Sequence, residues 1–420
     1  MLHSGGVSLL LAELTGSDRG DPRKFRSTMP GLKKPAKVGL VCEGDASTSE
    51  MAFSGTAKRI YESLARQGHP IFPVDSSLHG LRRAAAAAIS FSPHRERWQS
   101  RFRYTNETSR YRSLVAETSL GDRPVDVLLQ IGATYDPPRM GKVPFVIYCD
   151  WSMALTALDA KAKGGQERGL TLAEIEEINL QHARRYRAAA AIFTISDRLR
   201  ASIVDLYGLD PNRVHTTYAG PNFDVRLIDQ TLLEPRQNNT PTVLFIAKEF
   251  ERKGGDTVAS AFTRLRESLP QARLVFAGTE AMPSEFRSLD NVEHLGLLDK
   301  NNSEQLHRLL TAYRNADVLV LPSRRDPFPT VIREAMFFGI PCIATDIWAM
   351  PEMIENGKTG FLVPVDDTDA LVDRLALLLR NEALRAQMGQ AARARAEARF
   401  SWDAVGKLMS SNLQDCVNPT

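Results

Sequence analysis

Cysteine is scarce in this 420-residue chain, with four in all. Cys42, Cys149, Cys342 and Cys416 lie far apart, and none forms the C-x-x-C spacing of a redox pair or zinc site. That pattern excludes a disulfide framework and leaves buried free thiols in a reducing compartment. Long apolar runs are missing too: nothing approaches the ~18 residues needed to span a bilayer. The early segment VSLLLAEL is short, is interrupted by Glu13 and has no basic stretch before it, which argues against a secretory signal. An excess of one charge is also absent. With 53 Lys+Arg against 50 Asp+Glu the balance is +3, and composition points to no nucleic-acid partner. The expected location is the cytoplasm.

Present instead are apolar runs alternating with amphipathic segments, the pattern of an α/β protein with parallel sheets. KVGLVC (37–42) reads as a first buried strand. A helix follows near GTAKRIYESLARQG, closed by Gly68. IFPV, VDVLLQI and VPFVIYC continue the strands. TLAEIEEINLQHARRYRAA opens on a capping box, Thr171-x-x-Glu174, and AIFTIS and RVHTTY complete a first block. A polar, proline-marked stretch then reads as a linker at 226–241. A second block begins with TVLFIAK. It continues through helices at 255–268, 303–314 and 330–338 and strands in ARLVFAG, VEHLG, ADVLVLPS and PCIAT. The expected division is a poorly ordered extension over 1–35, with Met29 as an alternative start, a first domain over 36–225 and a second over 242–400. A terminal helix over 401–420 is expected to pack back on the first domain. Doubly wound sheets bind ligands at the carboxyl ends of their strands, so two facing blocks make a cleft.

Two stretches in the second block carry chemistry. AKEFERKGGD places Lys248 and Lys253 after a strand and before a glycine turn, where two cations could neutralise a diphosphate. The plainer reading is a solvated basic loop. PSRRDPFPTVIREAMFFGIPCIATD (322–346) places Asp326 and Phe328-Pro329 before a short apolar helix that contains Glu334. Proline suits the first helical turn, and the amides of Thr330, Val331 and Ile332 would be free to bind an anion. Glu334 is placed to accept two hydrogen bonds from a ribose diol, and Asp326 to hold a sugar hydroxyl. Acidic residues near a helix start for dipole reasons are the competing account.

The stretch 322–346 resembles the acidic-x7-acidic signature of the group 1 (family 4) glycosyltransferases, retaining enzymes of GT-B fold. The resemblance extends through MPEMIENGKTGFLVPVDDTDALVDRLALLL, FIAKEFERKGGDTVASAFTRLRESLPQARLVFAG, VEHLGLLD and LHRLLTAYRNADVLVLPS, and so covers about residues 240–410. It implies two Rossmann-like domains facing across a cleft. It also implies transfer of a sugar from a nucleoside diphosphate sugar to a hydroxyl of a glycan, lipid or small molecule, with no metal or other cofactor.

Carried over by position, Lys248 and Lys253 would hold the diphosphate, Glu334 the ribose and Asp326 the transferred sugar. Backbone at Phe328, Pro329, Thr330 and Val331 would meet sugar and phosphate, and backbone at Leu295, Gly296 and Leu297 the base. Gly55 resembles the glycine-rich loop of the first domain, with Ser54 in place of the usual first glycine. Asp326 stands where the family has Glu, one methylene longer. Asp150 stands where many members have His; a role at the acceptor or sugar and a role as a structural acid both remain open. Residues 81–112 carry many arginines with aromatics between them, either a solvated face with a flexible loop or a contact with an anionic membrane at its inner face. Two alternatives stand beside transfer. One is a non-catalytic nucleotide-sugar binder. The other is an oxidoreductase, against which GLVCEGDASTSE offers no G-x-G-x-x-G.

Overall fold

Val38, Leu40, Val41 and Cys42 are all buried, the state an unbroken apolar strand requires when helices cover both faces of its sheet. The computed structural model describes residues 34–48, 55–162, 164–234 and 240–417. Residues 1–33 of the expected extension, Met29 included, lie outside the described residues, as do Ser54, 235–239 of the expected linker and 418–420.

The first half contributes β1 (Val38–Cys42), β2 (Ile71–Asp75), β3 (Val127–Ile131), β4 (Phe145–Cys149), β5 (Gln166–Glu167), β6 (Leu170–Thr171), β7 (Ala191–Thr194) and β8 (Val214–Thr216). Six of these form a parallel sheet in the order β2-β1-β3-β4-β7-β8, and β5 and β6 make a separate antiparallel hairpin. The second half supplies β9 (Thr242–Ile246), β10 (Arg273–Ala277), β11 (Val292–His294), β12 (Val318–Leu321), β13 (Cys342–Thr345) and β14 (Gly360–Val363). They form a second parallel sheet in the order β11-β10-β9-β12-β13-β14. In each sheet the chain runs outward from one strand, then crosses back over it. The switch points fall between β1 and β3 and between β9 and β12, where a crevice opens at the strand ends.

The loops at those ends meet. The carboxylate of Glu352, after β13, accepts from the amides of Asp197 and Arg198, both at 2.7 Å, and so caps the helix Asp197–Tyr207 that follows β7. Trp151, after β4, lies against Trp348, after β13, with ring centroids 5.2 Å apart. The rings of Tyr218 and Phe328 stack at 6.2 Å. The last helix, Trp402–Val417, crosses to the first half. There Gly406 lets it close on Ser63 of the helix Thr56–Arg66, and Trp402 Nε1 donates to the Pro221 carbonyl at 2.7 Å.

Two segments differ from expectation. The start of the expected linker is a helix, Val225–Leu233. Residues 81–112 are mostly helical, in Gly80–Ile89, Arg95–Tyr104 and Asn106–Leu120, with a short non-helical stretch at 90–94. Alanine-rich and arginine-rich sequence favours helix even where few of its side chains are buried. Part of the arginine excess is structural: Arg97 pairs with Glu174 at 2.8 Å, and the buried Arg112 pairs with Glu43. The free thiols Cys42, Cys149 and Cys342 are buried and Cys416 is half-buried; burial pushes the Cys42 thiol up to about 12.

Candidate functional site

The site is built at the carboxyl ends of β9 and β12, on either side of the second switch point. After β9 the chain turns through Lys248–Gly255, with the Gly255 amide donating to the Phe250 carbonyl at 2.9 Å. Gly254 has φ of 75°, and a Cβ there would overlap the backbone carbonyl of Pro322. Only glycine permits this loop to lie directly on the end of β12. The glycine pair is therefore a packing requirement, and it brings Lys253 to Asp326.

Lys253 and Asp326 form an ion pair in which the carboxylate is 5 % exposed. Arg252 beside them donates to the Arg325 carbonyl and to Glu249 Oε2 at 2.7 Å. Lys248 is exposed and, among the described residues, has no ion-pair partner. Of the two lysines in the loop, only Lys253 is joined to the signature acid.

Proline at 329 starts the helix Thr330–Phe337, and no side chain caps its first amides. Thr330 Oγ1 instead accepts from Arg333 Nη2 at 2.9 Å. Arg333 is buried over the Phe328 ring and donates to the Phe328 carbonyl at 3.1 Å; burial pushes its guanidinium down to about 10. The Phe328 ring is part of the aromatic contact that joins the halves.

Glu334 is fully buried. Its Oε2 accepts from the Tyr313 hydroxyl at 2.8 Å, and its Oε1 pairs with Lys300 and receives the Asn222 amide at 3.4 Å. Both oxygens of the expected ribose ligand are thus engaged by protein groups. Burying a carboxylate this deep is costly unless it is hydrogen-bonded and charge-matched. Sequence reasoning missed Lys300, Tyr313 and Asn222. Lys300 sits in the turn DKNNSE with no motif around it, and Tyr313 reads as an ordinary core aromatic.

Asp150 is solvent-accessible yet set among dense protein, and that desolvation raises its carboxyl; Arg103 and Arg168 oppose the rise. It is not joined by any hydrogen bond to Asp326, Glu334 or either lysine. Next to it, Trp151 lies under the Arg325 guanidinium at 4.9 Å, and Arg325 pairs with Glu167 at 2.6 Å and Asp159 at 2.7 Å. The loop carrying Asp326 is thereby tied to the β5–β6 hairpin of the first half. Gly55, with φ of 86°, is the N-cap of the helix Thr56–Arg66. Leu295, Gly296 and Leu297 follow β11, where the Gly296 carbonyl accepts from Gly278 at 2.9 Å. These two groups lie at strand ends of different sheets and share no hydrogen bond with the two acid–lysine pairs.

Residues 233–395 match the profile of the family described as glycosyl transferases group 1. A D-inositol 3-phosphate glycosyltransferase of Xylanimonas cellulosilytica is 30% identical over 237 residues, 53% of this chain and 56% of the relative. The chain spans about half the length of the curated relatives it matches. Among solved structures, the sucrose-phosphate synthase of Thermosynechococcus elongatus superposes with a TM-score of 0.64 at 18% identity, covering 90% of this chain and 98% of that one. Anabaena HepE in complex with UDP and glucose gives 0.58 at 14%, covering 90% and 99%. The chain carries the GT-B fold, and its residues 233–395 are similar to the group 1 glycosyltransferases.

Proposed function

We propose that this protein moves a sugar from a nucleoside diphosphate sugar onto an acceptor hydroxyl, with retention at the anomeric carbon. One observation carries the reading. The carboxyl edge of the second sheet gathers two acid–ammonium pairs, Asp326 with Lys253 and Glu334 with Lys300, beside the uncapped amino end of the helix Thr330–Phe337. A donor has a complementary layout: a diphosphate for the cations and amides, a ribose diol for one carboxylate and a hydroxylated ring for the other. The nucleotide and sugar of HepE and the acceptor named for the Xylanimonas relative support a donor and acceptor of these classes.

In this reading the acids hold the ammonium groups in place before the donor arrives. The phosphates then draw Lys253 and the unpaired Lys248, while the ribose hydroxyls displace Lys300 from Glu334. Negative charge developing on the leaving phosphate meets preorganised positive groups, so little reorganisation is needed at the moment of bond breaking. The reading assigns that charge to lysines and amides rather than to a metal. In the loop 366–369, Asp367 caps the helix Thr368–Arg380, and Asp366 and Asp369 pair with Arg324 and Arg264. Asp150, held by its surroundings above the ordinary carboxylate range, is assigned to the acceptor side.

Calorimetric titration with a panel of nucleoside diphosphates, followed by a donor hydrolysis assay, tests the proposal. One nucleotide should bind and its sugar conjugate should turn over. Failure of every nucleotide to bind overturns the reading, and binding without turnover leaves a sugar-nucleotide binder in its place.

A further inference from the structure

The first half contains a cavity of about 190 Å³ between the helices Arg95–Tyr104, Asn106–Leu120 and Leu172–Ala188, lined also by Leu170 of the β5–β6 hairpin. It is open to solvent on one side and roomy enough to admit more than a single water. His182 lines it. That imidazole is 6 % exposed, and both ring nitrogens are shut off from solvent without a hydrogen-bond partner. Leaving such groups unpaired in the protein interior is unfavourable. The neighbouring Arg185 does not relieve it, because that guanidinium is already spent on Asp136 at 2.7 Å, Ser109 at 3.0 Å and the Ala133 carbonyl at 3.1 Å. Burial and the charge of Arg185 push the imidazole down to about 3, so it is neutral at physiological pH and offers one donor and one acceptor.

The walls narrow the ligand class. Glu174 is paired with Arg97 and Arg101, and Arg185 with Asp136, which leaves Glu107 and Glu177 to make the wall slightly acidic and disfavour an anion. Tyr104, Leu170 and Ile178 give an apolar surface for ring C–H groups, while Asn106 and Gln181 offer amides that both donate and accept. We infer that this cavity is a binding site for the ring of a neutral, polyhydroxylated molecule, a pyranose or cyclitol, with His182 exchanging hydrogen bonds with its hydroxyls. The inference concerns the first half alone and stands whether or not the donor reading holds. Two sources supply such a ring: an acceptor, or a sugar that docks without reacting.

The full-length protein titrated with neutral methyl pyranosides and cyclitols, followed by imidazole ¹H–¹⁵N correlation spectra, provides the test. One ring type should bind with Kd near or below ~1 mM and shift the nitrogens of a histidine whose signals vanish in His182→Phe. That variant keeps the packing with Tyr104 and Tyr186 and should bind at least tenfold more weakly. Ile178→Trp fills the cavity from another lining position and should do the same if His182→Phe fails to fold. Incubation with a donor then separates the sources: a ring returned glycosylated is the acceptor, and one returned unchanged is a docked sugar. Absence of binding by every ring, or binding that leaves His182 unmoved and survives both variants, overturns the inference.

Discussion

Lys253 and Lys248 occupy one loop but differ in what their removal would expose. Lys253→Gln leaves Asp326 a neutral hydrogen-bond partner while removing the ammonium charge; donor turnover should fall on the order of 10²–10³ in kcat/KM. Lys248 is exposed and, among the described residues, unpaired, so Lys248→Gln should leave the unfolding free energy from urea titration within about 0.5 kcal/mol of wild type while still slowing turnover. Glu334 needs a gentler probe than alanine. Glu334→Ala strands the Tyr313 hydroxyl in the core, with a stability cost of about 1–3 kcal/mol, which would mask any functional effect. Glu334→Gln can keep that bond but turns its NH2 toward Lys300 and the Asn222 N–H, so it should lower the melting midpoint less than alanine does and lose donor turnover. Wild-type kinetics in both glutamine variants, Lys253→Gln and Glu334→Gln, would remove them from the site.

The helix Leu172–Ala188 shows how one element serves several purposes. Its capping box is formed in full, with Thr171 and Glu174 bonded reciprocally, and Glu174 also anchors Arg97 from the helix Arg95–Tyr104. Thr171→Ala should therefore cost about 1 kcal/mol or somewhat more, readable as a shift in the urea midpoint. Midway along the same helix, His182 couples stability to pH. Its folded pKa of about 3 lies below the 6.5 of the free side chain, so its contribution is complete above pH 6.5. As pH falls from 6.5 toward 3 the unfolded chain takes up a proton that the folded chain refuses, and stability declines by at most ~1.4 kcal/mol per pH unit. Urea unfolding at pH 7, 5.5 and 4 should show this decline, and His182→Phe should flatten it. An unchanged slope in that variant assigns the acid sensitivity to other groups.

Across the whole molecule, the two halves are joined by a few specific contacts. Glu352 caps a helix of the other half, Arg325 reaches Glu167, and Trp151 meets Trp348. Glu352 carries a cost there: burial raises its carboxyl even as the two amides it accepts from oppose the rise. On the outer face of the first half, Leu81 is 89% exposed and Phe91 65%, Phe91 packs edge-on against Trp98 at 6.1 Å, and Arg82, Arg83 and Arg95 are exposed around them. Among the described residues no helix is long and apolar enough to cross a membrane. Whether these exposed groups meet an anionic bilayer surface is decided by experiment. Flotation with vesicles containing anionic lipid should carry the protein upward, and a Phe91→Ser, Trp98→Ser double variant should remain at the bottom. Flotation that ignores anionic lipid content would dismiss the membrane contact.

The sequence by itself determined the alternation of buried strands and helices, the capping box at Thr171 and the positions of Asp326, Glu334 and Lys253. These depend on residue type and short spacing, and backbone periodicity acts over a few residues. It also carried the acidic-x7-acidic signature, whose parts are near neighbours in the chain. The partners of those residues came only from tertiary structure. Lys300 lies 34 positions before Glu334 and Glu167 lies 158 before Arg325, and no local rule connects such pairs. The same holds for the unpartnered imidazole of His182, which looks like any polar residue on a helix until two other helices close a cavity around it. Packing decides which charges are shut away from water, and burial is what turns an ordinary lysine, tyrosine or histidine into part of a site.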